Sequence, residues 1–405
     1  MKIYKHNFFF SIWGDNYIKN FNNFALKCLI YNLETIKKPQ LDKININIWT
    51  SKKDIQIFKN LKDIKYLNSL VNINYFTIDY LLDKFKNYQS KYLFLSNLQS
   101  LFLSESLLKE YNYCWFIYPD FVFSNSLIKN LINKINQNNY ESVFIPVPQI
   151  IEEEFKSILQ KNHISKIIPK IKFILQEHMH PIVSNCNINN LKTNTPSMFM
   201  TSKKDEFILF RYFHIHPIVV RLNSNANYIF NEMNSSLDQD LVKNFENKNI
   251  YQVSDDKIGI CVSLLKRHEI KLYDTKFDLD NTCSWVIKNT NKSHHIYVKK
   301  EYLIKYKNFN LKSFNIKKHK LNLHIKKILK GISSKKFNTE QYFNKMKEAL
   351  INSYDNEILF LKRELHRRIN FYKKINKYNK KKIIKKFFNE HNKNKTADFL
   401  KNLYK

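Results

Sequence analysis

The first apolar run, Asn7 to Trp13, stops at Gly14-Asp15 and passes into a helical pattern from Tyr17 to Tyr31, with Phe21, Phe24, Leu26 and Leu29 on or near one face. Ile44 to Thr50, ININIWT, alternates isoleucine with asparagine at the period of a strand. Ser51 then caps a short helix, with Asp54 three residues on in capping-box position. Val71 to Ile78 reads as a third strand, Leu81 to Leu108 as mostly helix, and Tyr113 to Tyr118 as a fourth strand that is apolar on both faces. A helix from Ser126 to Ile135 and a strand from Ser142 to Val147 follow. Alternation of strand and helix at this spacing predicts a parallel, doubly wound α/β sheet.

Beyond Ile150 the pattern turns helical, over Glu152 to Gln160 and then Ile164 to Gln176, where Pro169 interrupts. A strand pair comes next, Ser197 to Thr201 and Phe207 to Arg221, joined by the charged turn Ser202 to Glu206. Read as one strand, FRYFHIHPIVVR places Tyr212, His214 and His216 on one side and Arg211, Phe213 and Ile215 on the other. The two imidazoles are then expected to converge on one ligand. From Glu301 the chain has helical character, clearest from Glu340 to Ile375, where Met346, Leu350, Tyr354, Ile358, Leu361 and Leu365 recur at amphipathic or coiled-coil spacing. No internal repeat is visible.

Composition narrows the chemistry. The three glycines, Gly14, Gly259 and Gly331, are isolated, which excludes the glycine-rich loops that cradle phosphate in P-loop and Rossmann proteins. Any nucleotide must be held by side chains, a metal or single backbone amides. The five cysteines form no C-x-x-C pair, which suits a reducing compartment and indicates neither a disulfide frame nor a cysteine zinc site. Neither a signal peptide nor a transmembrane run is read, so a cytoplasmic protein is expected. The net charge is +33, of which +21 lies from Glu301 onward, where 29 Lys+Arg face 8 Asp+Glu. All eight prolines precede residue 218. Two regions follow, 1–300 and a basic, mainly α-helical 301–405.

Candidate chemistry clusters at a few places. Asp120 stands where the fourth strand leaves the sheet, in CWFIYPDFVFSNS, and ligands of open parallel sheets bind outside the carboxyl ends of the strands. Two D-x-D pairs occur, Asp238-Gln239-Asp240 in SSLDQDLV and Asp278-Leu279-Asp280 in KFDLDNTC. Paired acids of this kind can face a divalent cation or a metal-bound diphosphate. Leu237 and Leu241 bracket the first pair and set it at the edge of the core, whereas the second runs into Asn281-Thr282 and reads as a solvated loop. His178-Met179-His180-Pro181 repeats the H-x-H-P pattern of His214 to Pro217. Without an acidic or cysteine partner nearby, four histidines are a weak zinc signal.

SIWGDNYI, IYPDFVFS, the PSMFM to FRYFHIHPIVV block and SLDQD together resemble a family of bacterial glycosyltransferase-like proteins related to the GT-A nucleotide-sugar transferases. The likeness spans roughly residues 7 to 245, with HIHP and SLDQD its most specific elements. It implies a GT-A-like, mostly parallel sheet with flanking helices, a nucleotide-sugar donor, and a surface-polysaccharide, lipid-linked or protein acceptor. Trp13, Gly14 and Tyr17 would line the nucleotide pocket. Asp120 would hold the position of the transferases' acidic metal motif, with Mg or Mn as the cofactor it implies. The family's D-x-D is absent there, since Phe121 and Val122 follow. His214, His216, Asp238 and Asp240 would face sugar and acceptor, with Asp238 or Asp240 as the base, and Arg211 and Arg221 would meet the diphosphate.

Two other readings compete. Pro119-Asp120 with Glu154-Phe155-Lys156 mimics the acids of a metal-dependent nuclease, though a helix is expected where that class places its E-x-K on a strand. A non-catalytic nucleic-acid or membrane-surface protein would rest on the basic region alone, where INFYKKINKYNKKKIIKKFF interleaves lysine with aromatics. For a transferase acting on lipid-linked acceptors, such a region would be drawn to an anionic inner leaflet, making the protein peripheral there.

Overall fold

The computed structural model describes residues 3–84, 91–192, 197–222, 241–245, 248–268, 277–306 and 309–334. Strand and helix alternate through the first part, as the pattern requires. The strands are β1 (His6–Ser11), β2 (Ile44–Thr50), β3 (Asn72–Thr77), β4 (Tyr113–Phe116), β5 (Phe121–Phe123), β6 (Ser142–Ile145) and β7 (Gln149–Ile151). They continue as β8 (Met198–Met200), β9 (Phe207–Tyr212), β10 (His216–Arg221), β11 (Ile250–Gln252), β12 (Cys261–Leu265) and β13 (Tyr302–Lys305).

Seven of them form one sheet in the order β11-β6-β10-β4-β1-β2-β3. β1 runs parallel to β2 and β4, β2 to β3, and β6 to β11, while β10 is antiparallel to both β4 and β6. The expected mostly parallel sheet with flanking helices is therefore present, with one reversed strand. β1, β4 and β6 are buried throughout, as strands covered on both faces must be.

β2 is also buried at every position, although three of its seven residues, Asn45, Asn47 and Thr50, are polar. Its asparagines lie beneath the helix Lys91–Leu108, which brings Glu105 to them. Asn47 Nδ2 donates to Glu105 Oε2 at 3.2 Å, Asn7 Nδ2 donates to Ser106 Oγ at 2.8 Å, and Asn45 Nδ2 reaches both Asn7 Oδ1 and Asn47 Oδ1 at 2.7 Å. Asn74 of β3 donates to Asn45 Oδ1 at 2.8 Å. Lys109 balances the carboxylate with an ion pair of 2.7 Å. Alternation with asparagine thus marks a covered polar ladder across three strands rather than a wet face.

Two smaller sheets lean on the large one, β5-β12-β7 and β13-β9-β8. The second joins a separate apolar cluster, in which Phe199, Phe207, Leu209 and Phe213 meet Cys283 and Val286 of the helix Leu279–Asn289 and Phe314, Leu321, Ile325 and Ile328 of the helix Leu311–Ser334. Because β13 pairs with β9, with Tyr302 opposite Phe210, residues just beyond 301 complete this unit. The change in composition at that point is not a break in packing. The expected helix over Glu340 to Ile375 lies outside the described residues.

Several boundaries differ from expectation. The single helix expected over Tyr17 to Tyr31 is two, Asp15–Asn23 and Ala25–Leu33, broken at Phe24 (φ −123°, ψ −75°), whose ring packs edge-on against Phe155. The expected strand Phe207 to Arg221 is also two, β9 and β10, which belong to different sheets. Asp278 does not sit in a solvated loop; its side chain accepts the Asn281 amide at 2.9 Å and starts the helix Leu279–Asn289. Pro169 does interrupt its helix, leaving Ile164–Ile167, a 3₁₀ turn at Ile168–Lys170, and Ile171–His178.

Two outcomes follow from the buried polar groups. Asn47→Asp sets a second carboxylate against Glu105 and is expected to destabilise more than Asn47→Ala near neutral pH, by roughly 2 kcal/mol or more beyond it, with the gap closing in acid. Urea unfolding of both variants across pH checks this. His6 accepts the Trp115 Nε1 hydrogen at 3.0 Å, and burial lowers its pKa from 6.5 to about 3. Below about pH 6.5 the unfolded chain therefore takes up a proton that the folded chain refuses. Stability should fall by about 1.4 kcal/mol per pH unit toward pH 3 on this account. His6→Gln, which keeps an acceptor but does not titrate, should flatten that slope in thermal melts recorded against pH.

Candidate functional site

The strand order changes direction at β1. The chain leaves it outward through β2 and β3, then returns to its other side with β4, so β1 and β4 part at their carboxyl ends. Open sheets bind ligands at such a switch point. Phe9 lies opposite Phe116; Trp13 and Asp120, each four residues further along the chain, therefore leave the sheet at the same rim.

Trp13 packs edge-on against Phe94 with ring centroids 5.3 Å apart. Gly14 follows with φ +83° and ψ 147°, a conformation that is essentially glycine-only. It lets the chain turn into the helix Asp15–Asn23, and the Gly14 amide donates to Asp54 Oδ2 at 3.0 Å. Tyr17, in the first turn of that helix, is 56% exposed. Asp54 itself is buried, and its Oδ1 has no hydrogen-bond partner; the same holds for Ser11 Oγ and Thr50 Oγ1 at the ends of β1 and β2. Unpaired buried polar atoms are uncommon in folded proteins. Thr50 and Asp54 lie at and just beyond the end of β2, while Ser11, paired with Trp49, stands on the other face of the sheet from Thr50.

The other half of the rim comes from the β5-β12-β7 sheet. The Leu264 amide donates to Asp120 O at 3.0 Å, and Leu265 pairs with Ile151. That register brings the Asp120 turn, Lys266 and Arg267 beyond β12, and Glu152 to Glu154 beyond β7 to one edge. Asn20 of the first helix donates to Glu152 Oε1 at 3.3 Å, which closes the ring of residues. Arg267 is held by Glu154 at 2.7 Å. Burial alone would raise the Glu153 carboxyl, yet the amides of Glu153 and Arg267 and the Arg267 charge hold it below its ordinary pKa.

His216 opens β10 at this rim. Its Nε2 lies 3.0 Å from Phe116 O, and its ring packs tilted against Tyr118 and edge-on against Phe121, with centroids 5.1 and 5.3 Å away. His214 does not share that position. The backbone turns between Tyr212 and His216, so the imidazole of His214 sets its Nε2 2.6 Å from Asn289 O and packs beside Trp285 and His294. The expectation that the two rings converge on one ligand is overturned, because a bend replaces the continuous strand. Since β10 runs opposite to β4, residues preceding His216 lie beyond the carboxyl rim, and His214 stands above it.

The two arginines are also elsewhere. Arg211 is buried, donating from Nη1 to Lys299 O at 2.9 Å and pairing through Nη2 with Glu301 at 3.2 Å. Burial lowers its pKa, with Glu301 opposing. It braces β9 to the C-terminal segment. Arg221 pairs with Glu141 at 2.9 Å and sits opposite Tyr113 at the amino end of β4, the wrong rim for a diphosphate. Asp238 and Asp240 lie outside the described residues.

Glu154 and Lys156 fall on the helix Glu152–Lys161, where Lys156 pairs with Glu152, so the nuclease pattern lacks its strand. His180 caps the short helix Pro181–Ser184 and sets its Nε2 3.2 Å from Lys266 O. Among the described residues no group of three or more His, Cys, Asp or Glu is arranged to hold a metal ion, so Asp120 and the side chains around it do not by themselves fit a metal site. Glu152, Glu153 and Arg267 carry no local signal in the sequence, Glu154 stands out only in the nuclease pattern and Asp54 only as part of a helix start, because nothing in the local pattern shows which strand ends meet.

No protein-family model matches the chain, and no curated protein matches it. Among solved structures, S. aureus TarS 1-349 in complex with UDP-GlcNAc is similar over 99% of this chain and 90% of that one, at 11% identity and a TM-score of 0.37. A longer S. aureus TarS structure is similar over 88% of this chain and 47% of that one, at 10% identity and a TM-score of 0.32, so the chain spans about half its length. Core-mannan synthase A from Aspergillus fumigatus, in its Mn/GDP form, is similar over 39% of this chain and 48% of that one, at 12% identity and a TM-score of 0.22. Likenesses this slight assign no role to any residue here.

Gly14 gives this site its own test. A Cβ there meets nothing within 4 Å, so Gly14→Ala should cost backbone strain alone, about 1–3 kcal/mol in urea unfolding. A smaller loss would mean that the turn is not held in the glycine-only conformation.

Proposed function

We propose that this chain is a glycosyltransferase that moves a sugar, of hexosyl type, from a nucleotide-sugar donor to a hydroxyl of a surface-polysaccharide, lipid-linked or protein acceptor. What supports this reading is that Trp13 and Gly14 follow the carboxyl end of β1, Asp54 that of β2 and Asp120 that of β4, at the switch point between β1 and β4, beside unspent hydrogen-bonding capacity on Thr50 and Asp54. Such a rim suits a nucleoside, whose ring stacks on an aromatic and whose N–H and hydroxyl groups donate to buried oxygens. The order β3-β2-β1-β4, with β1 and β4 parting at a switch point, agrees with a GT-A-like sheet.

In the reaction an acceptor hydroxyl attacks the anomeric carbon and the bond from that carbon to the diphosphate breaks. The departing nucleoside diphosphate needs positive charge. Lys266 and Arg267 replace Arg211 and Arg221 as the cations proposed for it, because they stand at the same rim as Asp120. Asp238 or Asp240 is proposed as the base that receives the hydroxyl proton, as an inverting reaction requires. His216 positions the Asp120 turn, and His214 with Trp285 walls the acceptor side. Mg or Mn at Asp120 remains part of the resemblance, and no step is routed through it.

Among UDP, GDP and CDP, one is expected to raise the melting temperature of the protein; no response to any of them would defeat the reading. Asp54→Asn, which keeps an acceptor for the Gly14 amide, should abolish that response while leaving the unliganded melting temperature within a few degrees. Asp120→Asn and Asp238→Asn should lower sugar transfer or donor hydrolysis by about a hundredfold or more without unfolding the chain. Full activity in both would remove them from the site.

A further inference from the structure

The helix Leu311–Ser334 carries seven lysines and no acidic residue. Its inner face, Phe314, Leu321, Ile325 and Ile328, is buried against the helix Leu279–Asn289 and the β8-β9 hairpin. At 100° per residue the centre of the opposite face holds Lys312, Ile316, Leu323 and Lys330, with Lys320 and Lys327 on one flank and His319 and Lys326 on the other. All eight are exposed, and Ile316 and Leu323 are 62% and 46% exposed. Leu311, at the start of the helix, is 63% exposed.

Three of the seven lysines have structural work. Lys317 pairs with Asp205 at 2.7 Å, Lys318 with Glu301 at 2.8 Å, and Lys320 donates to Asn189 at 2.8 Å. Among the described residues, Lys312, Lys326, Lys327 and Lys330 form no ion pair. Four exposed cations therefore surround two large aliphatic side chains that are seven residues, or two turns, apart on one stripe.

We infer that this outward face of the helix Leu311–Ser334 docks on an anionic phospholipid bilayer, with Ile316 and Leu323 entering the interface and the four lysines meeting headgroup phosphates. A lipid surface fits better than a nucleic acid, because the outward face has no arginine for phosphate forks and no tryptophan, tyrosine or phenylalanine for base stacking. Aliphatic side chains ringed by lysine are what an interfacial helix presents. A second copy of the same face is disfavoured by its own charge. This reading is independent of the catalytic proposal and would stand if that failed.

The test uses the full chain. All five native cysteines are buried, so Leu323→Cys offers one accessible thiol for an environment-sensitive fluorophore. Its emission should shift to the blue with phosphatidylglycerol-containing vesicles and stay unchanged with pure phosphatidylcholine. Cosedimentation with the anionic vesicles should weaken about fivefold for each of Lys312, Lys326, Lys327 and Lys330 changed to glutamine. Ile316→Ser with Leu323→Ser should weaken it without altering its salt dependence. An unshifted probe on vesicles that still pellet the protein would overturn the proposal, since docking would then use another surface. So would a response of the probe to single-stranded RNA with none to vesicles, which would give the face to nucleic acid. Unchanged circular dichroism of each variant separates lost docking from lost folding.

Discussion

Glu105 carries a buried charge that the central sheet cannot leave unanswered. It rises from the helix Lys91–Leu108 into a face of asparagines, accepts from Asn47, and is balanced by Lys109. Asn7, Asn45 and Asn74 continue the hydrogen bonds across β1, β2 and β3. A one-residue slip of any of these strands would turn its asparagines to the apolar face and leave several amides unpaired. Register is thereby fixed by polar complementarity as well as by shape. The heights at which β1 and β2 end are fixed with it.

Everything at the carboxyl rim inherits that register. With Phe9 opposite Phe116, Trp13 and Asp120 emerge together, and with Ser11 opposite Trp49, the turn at Gly14 comes within reach of Asp54. The left-handed backbone at Gly14 is what aims the first helix so that Asn20 can touch Glu152. The rim is thus assembled from six chain segments, none of which makes a site alone. Thr50 Oγ1 and Asp54 Oδ1 leave hydrogen-bonding capacity unused beside this rim.

The C-terminal part obeys a different logic. Arg211, which sequence position offered to a ligand, instead ties β9 to Glu301 and the carbonyl of Lys299. β13 completes the sheet begun by β8 and β9, and the long helix covers the cluster beneath. The interior of this unit is held by its own ion pairs and aromatic contacts. What it leaves to solvent is a face that is cationic and aliphatic at once.

Strands and helices of the first part were legible in the sequence because each is long enough to show its own period. The alternation in ININIWT, the Ser51 cap and the Pro169 break all fell where local rules place them. The rim position of Asp120 followed from the general habit of parallel sheets. The bend at His214 was not legible, since FRYFHIHPIVVR has the composition of one unbroken strand and only pairing with two different sheets divides it. Short strands such as β5, β7 and β12 have no period to detect, and Asp54 and Arg267 joined the rim only through them and the turn at Gly14. The sequence by itself determined which segments are strand or helix and which ends carry polar groups, because those follow from neighbours along the chain. Which ends meet was decided by tertiary register, through hydrogen bonds between residues a hundred positions apart.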